Sequence, residues 1–173
     1  MATNIEIKAR VRDIDAVRAI AEKLSGLPCT VLSQEDTFFH SPQGRLKLRV
    51  LAPDRGQLIY YERADAAAPK RSEYFVSPTD DPAALKAVLA PCLGVRGVVR
   101  KRRSLYMVQN TRIHLDEVEG LGSFLELEVM LGPGQSEEEG QTIARELMAS
   151  LGVEASDLVE GAYMDLVEGF AAE

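Results

Sequence analysis

Three segments of the chain alternate apolar and charged residues with a period of two, and they differ in the sign of the charge. Asn4-Ile5-Glu6-Ile7-Lys8-Ala9-Arg10-Val11 carries both signs, Arg45-Leu46-Lys47-Leu48-Arg49-Val50 is basic at every polar position, and Phe124-Leu125-Glu126-Leu127-Glu128-Val129 is acidic. Successive side chains of a strand point to opposite faces, so each segment reads as a strand with one buried apolar face and one row of charge. A single alternating strand is ordinarily the solvent-facing edge of a half-buried antiparallel sheet. Here two of the polar faces lack the usual mixture of Ser, Thr and both charges, with Arg45, Lys47 and Arg49 on one and Glu126 and Glu128 on the other. A sheet that curls so that these rows face one another encloses a cavity with cationic and carboxylate walls, suited to a polyphosphate and its divalent metal.

With 173 residues the chain is long enough for a substantial core, and one domain over residues 1–173 is expected. No apolar run approaches the ~20 residues that cross a bilayer. Glu6 and Lys8 stand where a signal peptide needs an apolar stretch, so a cytoplasmic location without membrane association is expected. The net charge of -7 opposes stable binding to nucleic acid or acidic membranes. The basic residues are nevertheless concentrated, with Arg100 to Arg103 unbroken and Arg45, Lys47 and Arg49 on one strand face, which implies a local anion site. A charge run by itself is more often a solvated face. Cys29 and Cys92 lack metal-site spacing and read as reduced, structural thiols.

The order of elements is legible from periodicity and punctuation. A strand over Thr3 to Arg12 leads to Asp13, a helix N-cap before Ile14, Val17, Ile20, Ala21 and Leu24 at helical spacing, with Gly26 and Pro28 as the stop. Strands follow over Thr30 to His40, Arg45 to Leu51 and Gln57 to Arg63, joined by Ser41-Pro42-Gln43-Gly44 and Pro53-Asp54-Arg55-Gly56. Another covers Arg71 to Ser77. Asp81 and Pro82 open a short helix with Leu85, Val88 and Leu89 along one side. Strands over Val95 to Val108, Thr111 to Val118 and Ser123 to Leu131 precede a capping box at Ser136 and Glu139 and a helix from Glu137 to Leu151 that packs Ile143, Leu147 and Leu151. Ser156 to Phe170 reads as a final helix. Without strict βαβ alternation the pattern specifies an antiparallel α+β domain. No Walker loop or dinucleotide fingerprint is present, so side chains must do any phosphate binding.

Asn4-Ile5-Glu6-Ile7-Lys8 resembles the N-terminal ExExK signature of the CYTH superfamily, the triphosphate tunnel metalloenzymes that include class IV adenylate cyclases, thiamine triphosphatases and inorganic triphosphatases. The likeness runs in order through Gln34-Glu35-Asp36-Thr37-Phe38-Phe39, Leu46-Lys47-Leu48-Arg49, Arg100-Lys101-Arg102-Arg103-Ser104-Leu105-Tyr106, Ile113-His114-Leu115-Asp116-Glu117-Val118, Leu121-Gly122-Ser123-Phe124-Leu125-Glu126-Leu127-Glu128-Val129 and Tyr163-Met164-Asp165-Leu166. The resemblance implies an eight-stranded antiparallel β-barrel, the triphosphate tunnel, with helices packed outside. It also implies a triphosphate-bearing substrate and Mg²⁺ or Mn²⁺. Carried over by position, Glu6, Asp116, Glu126 and Glu128 form the metal-binding group. Lys8, Lys47, Arg49, Arg63, Lys101, Arg103 and Arg112 hold phosphate oxygens, and Glu6, Lys8 and Glu126 are the catalytic candidates. The first Glu of the signature is Asn4 here. An amide offers a hard cation one neutral oxygen where a carboxylate offers charge and two oxygens, so one metal position is expected to be weaker.

Phosphoryl chemistry asks a protein mainly for positioning and charge neutralisation, and the resemblance to class IV cyclases in Arg103-Ser104-Leu105-Tyr106 and Gly120-Leu121-Gly122 implies conversion of ATP to cyclic AMP and pyrophosphate. A triphosphatase and a non-catalytic nucleotide or polyphosphate binder, the latter motivated by Asn4, are the competing readings. A structural domain whose charged faces pair with each other is another. Phe38, Phe39, Tyr60, Tyr61 and Tyr106 are candidate stacking surfaces for a base, although strand aromatics are more often core. His114 shares a face with Arg112 and Asp116, which turns it toward the cavity unless it is a structural imidazole; His40 beside a turn reads as a surface residue. Tyr163 either covers one tunnel mouth or packs on the barrel exterior. An exposed strand or helix face is compatible with a homodimer.

Overall fold

The computed structural model describes residues 2–171. The alternating segments become β1 (Ala2–Arg10), β2 (Thr30–Phe39), β3 (Arg45–Ala52), β4 (Arg55–Arg63), β5 (Lys70–Thr79), β6 (Val95–Val108), β7 (Thr111–Val118) and β8 (Gly122–Met130). They close into one antiparallel barrel in the order β1-β5-β4-β3-β2-β6-β7-β8. Around it lie α1 (Ile14–Ser25), α2 (Pro82–Leu93), α3 (Glu137–Ser150) and α4 (Tyr163–Ala171). The expected α+β barrel with external helices is therefore the fold.

The apolar rows point outward, and most of the core lies between barrel and helices. Ile5, Ile7, Ile113, Leu115, Leu125, Leu127 and Val129 are essentially inaccessible. They pack with Val17, Ile20 and Ala21 of α1 and with Ile143, Ala144 and Leu147 of α3. Burying each such strand side chain contributes roughly 1.5–3 kcal/mol. Gly140 lets α3 approach closely, since a Cβ there would meet Leu131 and Ile5 side-chain atoms at 2.6 and 2.7 Å. The helix starts follow local chemistry: Asp13 accepts from the Ala16 N–H at 3.0 Å, Asp81 from Ala84 at 2.9 Å, and Ser136 and Glu139 exchange capping-box bonds.

Tertiary contacts alter some expectations. Leu24 and Val88, expected on buried helix faces, are exposed. Ser156 to Phe170 is not one helix. A short 3₁₀ turn spans Ala155–Asp157, and α4 begins only at Tyr163. Between them Leu158 bridges Ala9, and the Val159 N–H donates to the Lys8 carbonyl at 2.9 Å. This extended stretch extends the pairing of β1, and Gly161 at φ 76° turns the chain into α4.

Candidate active site in the barrel interior

A closed barrel of eight strands is just wide enough to enclose side chains or one small ligand. Here the inward rows surround a cavity of about 420 Å³. Lys8, Lys47, Arg49, Arg63, Lys101, Arg103 and Arg112 line it with Glu6, Asp36, Glu126 and Glu128. Seven cations thus face four carboxylates inside a protein whose overall charge is -7.

Register decides which charges meet. Lys8 stands opposite Glu126 and Glu6 opposite Glu128 across β1 and β8, and His114 stands opposite Glu126 across β7 and β8. Lys8 Nζ lies 3.2 Å from Glu126, and Arg103 bonds the other Glu126 oxygen. Arg63 pairs with Glu6 and donates to the Gly161 carbonyl at 2.6 Å. Arg112 lies 3.4 Å from Glu128. On the facing wall, Asp36 accepts from Arg49 at 2.7 and 2.8 Å and lies 3.2 and 3.1 Å from the ammonium groups of Lys47 and Lys101. The Arg100 to Arg103 run divides by parity: Arg100 and Arg102 point outward to Glu35 and Glu117, Lys101 and Arg103 inward.

The crowding of charge shows in proton affinities. Burial pulls Lys101 down to about 7 and Lys47 to about 8, with Asp36 acting in the opposite direction. Burial alone would raise the Asp36 carboxyl, but Arg49, Lys101 and Lys47 outweigh it and hold it well below the ordinary carboxylate range. Glu126 is likewise held low, because Lys8 and Arg103 overcome the cost of burial.

The two ends of the cavity differ. One is closed by the chain entering α4: Ala162 and Tyr163 line the cavity, and the Gly161 carbonyl also lies 3.3 Å from Lys8 Nζ. Tyr163 donates to Asp116 at 2.7 Å, stacks edge-on against Phe124 and carries the Lys8 ammonium 4.0 Å from its ring centroid. The other end is rimmed by Leu32, Leu51, Val76 and Leu105, with Val76 exposed.

Residues 2–163 match the family described as the CYTH domain. The chain belongs to the CYTH family. Among curated CYTH-like relatives it is 28% identical over 176 residues to the adenylate cyclase CyaB of Aeromonas hydrophila, covering 95% of this chain and 88% of the relative. It is 25% identical over 171 residues to a Methanocaldococcus jannaschii protein provisionally named an adenylate cyclase, covering 94% and 97%. The solved structure of the PH1012 protein from Pyrococcus horikoshii superposes with a TM-score of 0.84 at 28% identity, covering 94% of this chain and 98% of that one.

Within this CYTH barrel, every site residue expected from the sequence lines the cavity except Asp116. Asp116 is fully buried behind Arg103, which donates to it at 2.6 and 2.7 Å, and its contacts are those of a support for Arg103 and Tyr163. Asp36, to which sequence reasoning assigns no role, is the anchor of three cations; the alternation of Gln34, Asp36 and Phe38 carries that signal. Phe38 and Tyr61 line the cavity beneath Lys47, whereas Tyr106 and Phe39 are buried and absent from its lining. His114 faces the cavity beside Glu126 and Glu128, the nearest approach to a metal-ligand cluster among the described residues. The buried Nδ1 of His114 and Oδ1 of Asn4 have no hydrogen-bond partner, so this acidic side of the barrel fits a divalent cation.

Proposed function

We propose that this CYTH protein is a divalent-metal-dependent enzyme that converts ATP to cyclic AMP and pyrophosphate. The observation that carries the reading is the excess of cationic side chains in a cavity closed at one end, within an acidic protein. Such a wall recognises a compact polyanion, and the names of the Aeromonas and Methanocaldococcus relatives support ATP as its source. Lys8, Arg63 and Lys101 near the closed end receive the terminal phosphates, while Lys47, Arg49 and Arg103 hold the rest. Guanidinium groups suit bidentate contact with phosphate, and ammonium groups act as movable point charges. The nucleoside then lies toward the aliphatic rim.

Glu126 and Glu128, with Glu6 across the β1–β8 pairing, hold the metal, Mg²⁺ or Mn²⁺. When bound, such an ion supplies Lewis-acid stabilisation of charge on the phosphate oxygens. In the cyclase reaction the ribose 3′-oxygen bonds to the α-phosphorus, the bond to the pyrophosphate oxygen breaks, and the hydroxyl proton passes to a carboxylate of the acidic wall. Lys8, Arg63 and Lys101, around the terminal phosphates, take up the charge of the leaving pyrophosphate. Hydrolysis of a triphosphate is a second reading, supported by the mainly aliphatic rim of Leu32, Leu51, Val76 and Leu105, where the amides of Gln34 and Gln57 are the polar groups offered to a purine edge.

Phosphorus NMR of products formed from ATP, and separately from inorganic triphosphate, with Mg²⁺ or Mn²⁺ tests the proposal. Cyclic AMP with pyrophosphate is the expected result. Orthophosphate release replaces the cyclase with a triphosphatase. Binding without turnover of either compound overturns both and leaves a nucleotide or polyphosphate binder.

A further inference from the structure

His114 has an environment that neither a structural imidazole nor a surface residue explains. The residue is only 4% exposed, it faces the cavity, and its Nδ1 is buried without a hydrogen-bond partner. The closest candidates are Glu126 Oε2 at 3.8 Å and Glu128 Oε1 at 3.9 Å, both too long for a hydrogen bond. If Nδ1 carries a proton, a donor goes unused beside two carboxylates. If it does not, a lone pair faces two anions. A cation shared by the three groups removes the conflict when Nδ1 is unprotonated and the ring proton sits on Nε2, because the lone pair then meets a positive charge.

The backbone already brings these groups together. His114 is the cross-strand partner of Glu126, and Glu128 is the next inward residue on the same strand. One ligand atom from each of the three lies within 4.8 Å of the others. Glu128 is left with one oxygen toward His114, since Arg112 approaches the other.

We propose that His114 ligates the divalent cation through Nδ1, completing with Glu126 and Glu128 a mixed nitrogen–oxygen site that favours Mn²⁺ over Mg²⁺. The inference rests on the metal-dependent reading above and specifies the donor set. Mn²⁺ also takes mainly oxygen ligands and stands lowest in the first-row affinity order. As a transition ion it nonetheless accepts a nitrogen donor more readily than Mg²⁺, which demands near-ideal octahedral geometry and gives up its waters reluctantly. The neutral amide at Asn4, also unpartnered and 3% exposed, removes a charge that would otherwise favour hard ions. A nitrogen donor therefore retains affinity for Mn²⁺ where the carboxylate count is reduced.

The test is electron spin-echo envelope modulation on the full chain loaded with one equivalent of Mn²⁺, with calorimetric titration of Mn²⁺ and Mg²⁺. The expected spectrum shows ¹⁴N modulation from a directly bound imidazole. His114→Gln should remove it and weaken Mn²⁺ binding by about tenfold or more, while Mg²⁺ binding changes far less. Bound Mn²⁺ without ¹⁴N modulation in the unaltered protein, or modulation that persists in His114→Gln, overturns the proposal and leaves the metal-dependent reading intact. Failure to bind Mn²⁺ at all, with and without inorganic triphosphate, overturns both. The spectrum of the unaltered protein decides the matter even if the variant does not fold.

Discussion

Asp36 shows how much a single buried carboxylate can hold in place. It is 1% exposed and contacts Lys47, Arg49 and Lys101 together, the cations that give the cavity its positive wall. Removing one partner of a buried ion pair leaves an uncompensated charge, so Asp36→Asn should destabilise the protein by about 3–5 kcal/mol in urea unfolding. Saturating inorganic triphosphate should restore part of the loss, because an anion then faces the same cations; a loss unaffected by anions would show that the wall does not bind them. The lysines also imply a pH dependence. Lys101 at about 7 and Lys47 at about 8 lie below their ordinary value of 10.5, so above pH 7 the unfolded chain binds more protons than the folded one. The contribution of these lysines to stability therefore rises with pH up to about 10. Anion binding needs their protonated forms and changes in the opposite sense. In the presence of chelator, protection against heat by sulfate, whose charge is constant over this range, should decline between pH 6.5 and 9.

At the scale of elements, the segment from Leu158 to α4 is the part that closes the cavity. It is tied to the barrel by the Val159–Lys8 backbone bond and by Asp165, which accepts from the Ala162 N–H at 2.6 Å, from Arg96 at 2.7 Å and from Arg45 at 3.0 Å. Arg45 and Arg96 retain Asp65 and Glu168 if Asp165 is lost. Asp165→Asn should therefore loosen the closure by only about 1–2 kcal/mol. Hydrogen exchange of backbone amides over 159–168 should accelerate about 5–30-fold while β7 and β8 keep their protection. Equal acceleration in those strands would mean that closure and barrel form one cooperative unit. The strands and capped helices were legible because each depends on contacts a few residues apart, such as Asp13 with Ala16 or Ser136 with Glu139. The split of Ser156 to Phe170 was not, because its cause is pairing with β1, some 150 residues away in sequence.

For the molecule as a whole, an acidic exterior surrounds a cationic interior, and the two should respond to different ligands. Inorganic triphosphate at a hundredfold its Kd should stabilise the fold by about 2.7 kcal/mol, raising Tm by about 5–10 °C, whereas duplex DNA should leave Tm unchanged. A matching shift with DNA would place anion binding on the surface instead. Glu126→Gln should abolish metal-dependent turnover of ATP and of inorganic triphosphate. Because Lys8 and Arg103 lose a buried partner, it should also lower stability as Asp36→Asn does, with circular dichroism checking that the barrel is still folded under assay conditions. The sequence by itself determined which residues become strands and which rows carry charge, since alternation is a local property of the backbone and half of each strand had to be apolar to bury under α1 and α3. It also carried the family resemblance that implied an inward-facing phosphate wall. Only the tertiary structure decided which charges meet: Lys8 with Glu126 and Gly161, Asp36 with three cations, Asp116 behind Arg103, and His114 without a partner. Those outcomes depend on cross-strand register and on where a distant segment crosses the barrel end, and period-two alternation is blind to both.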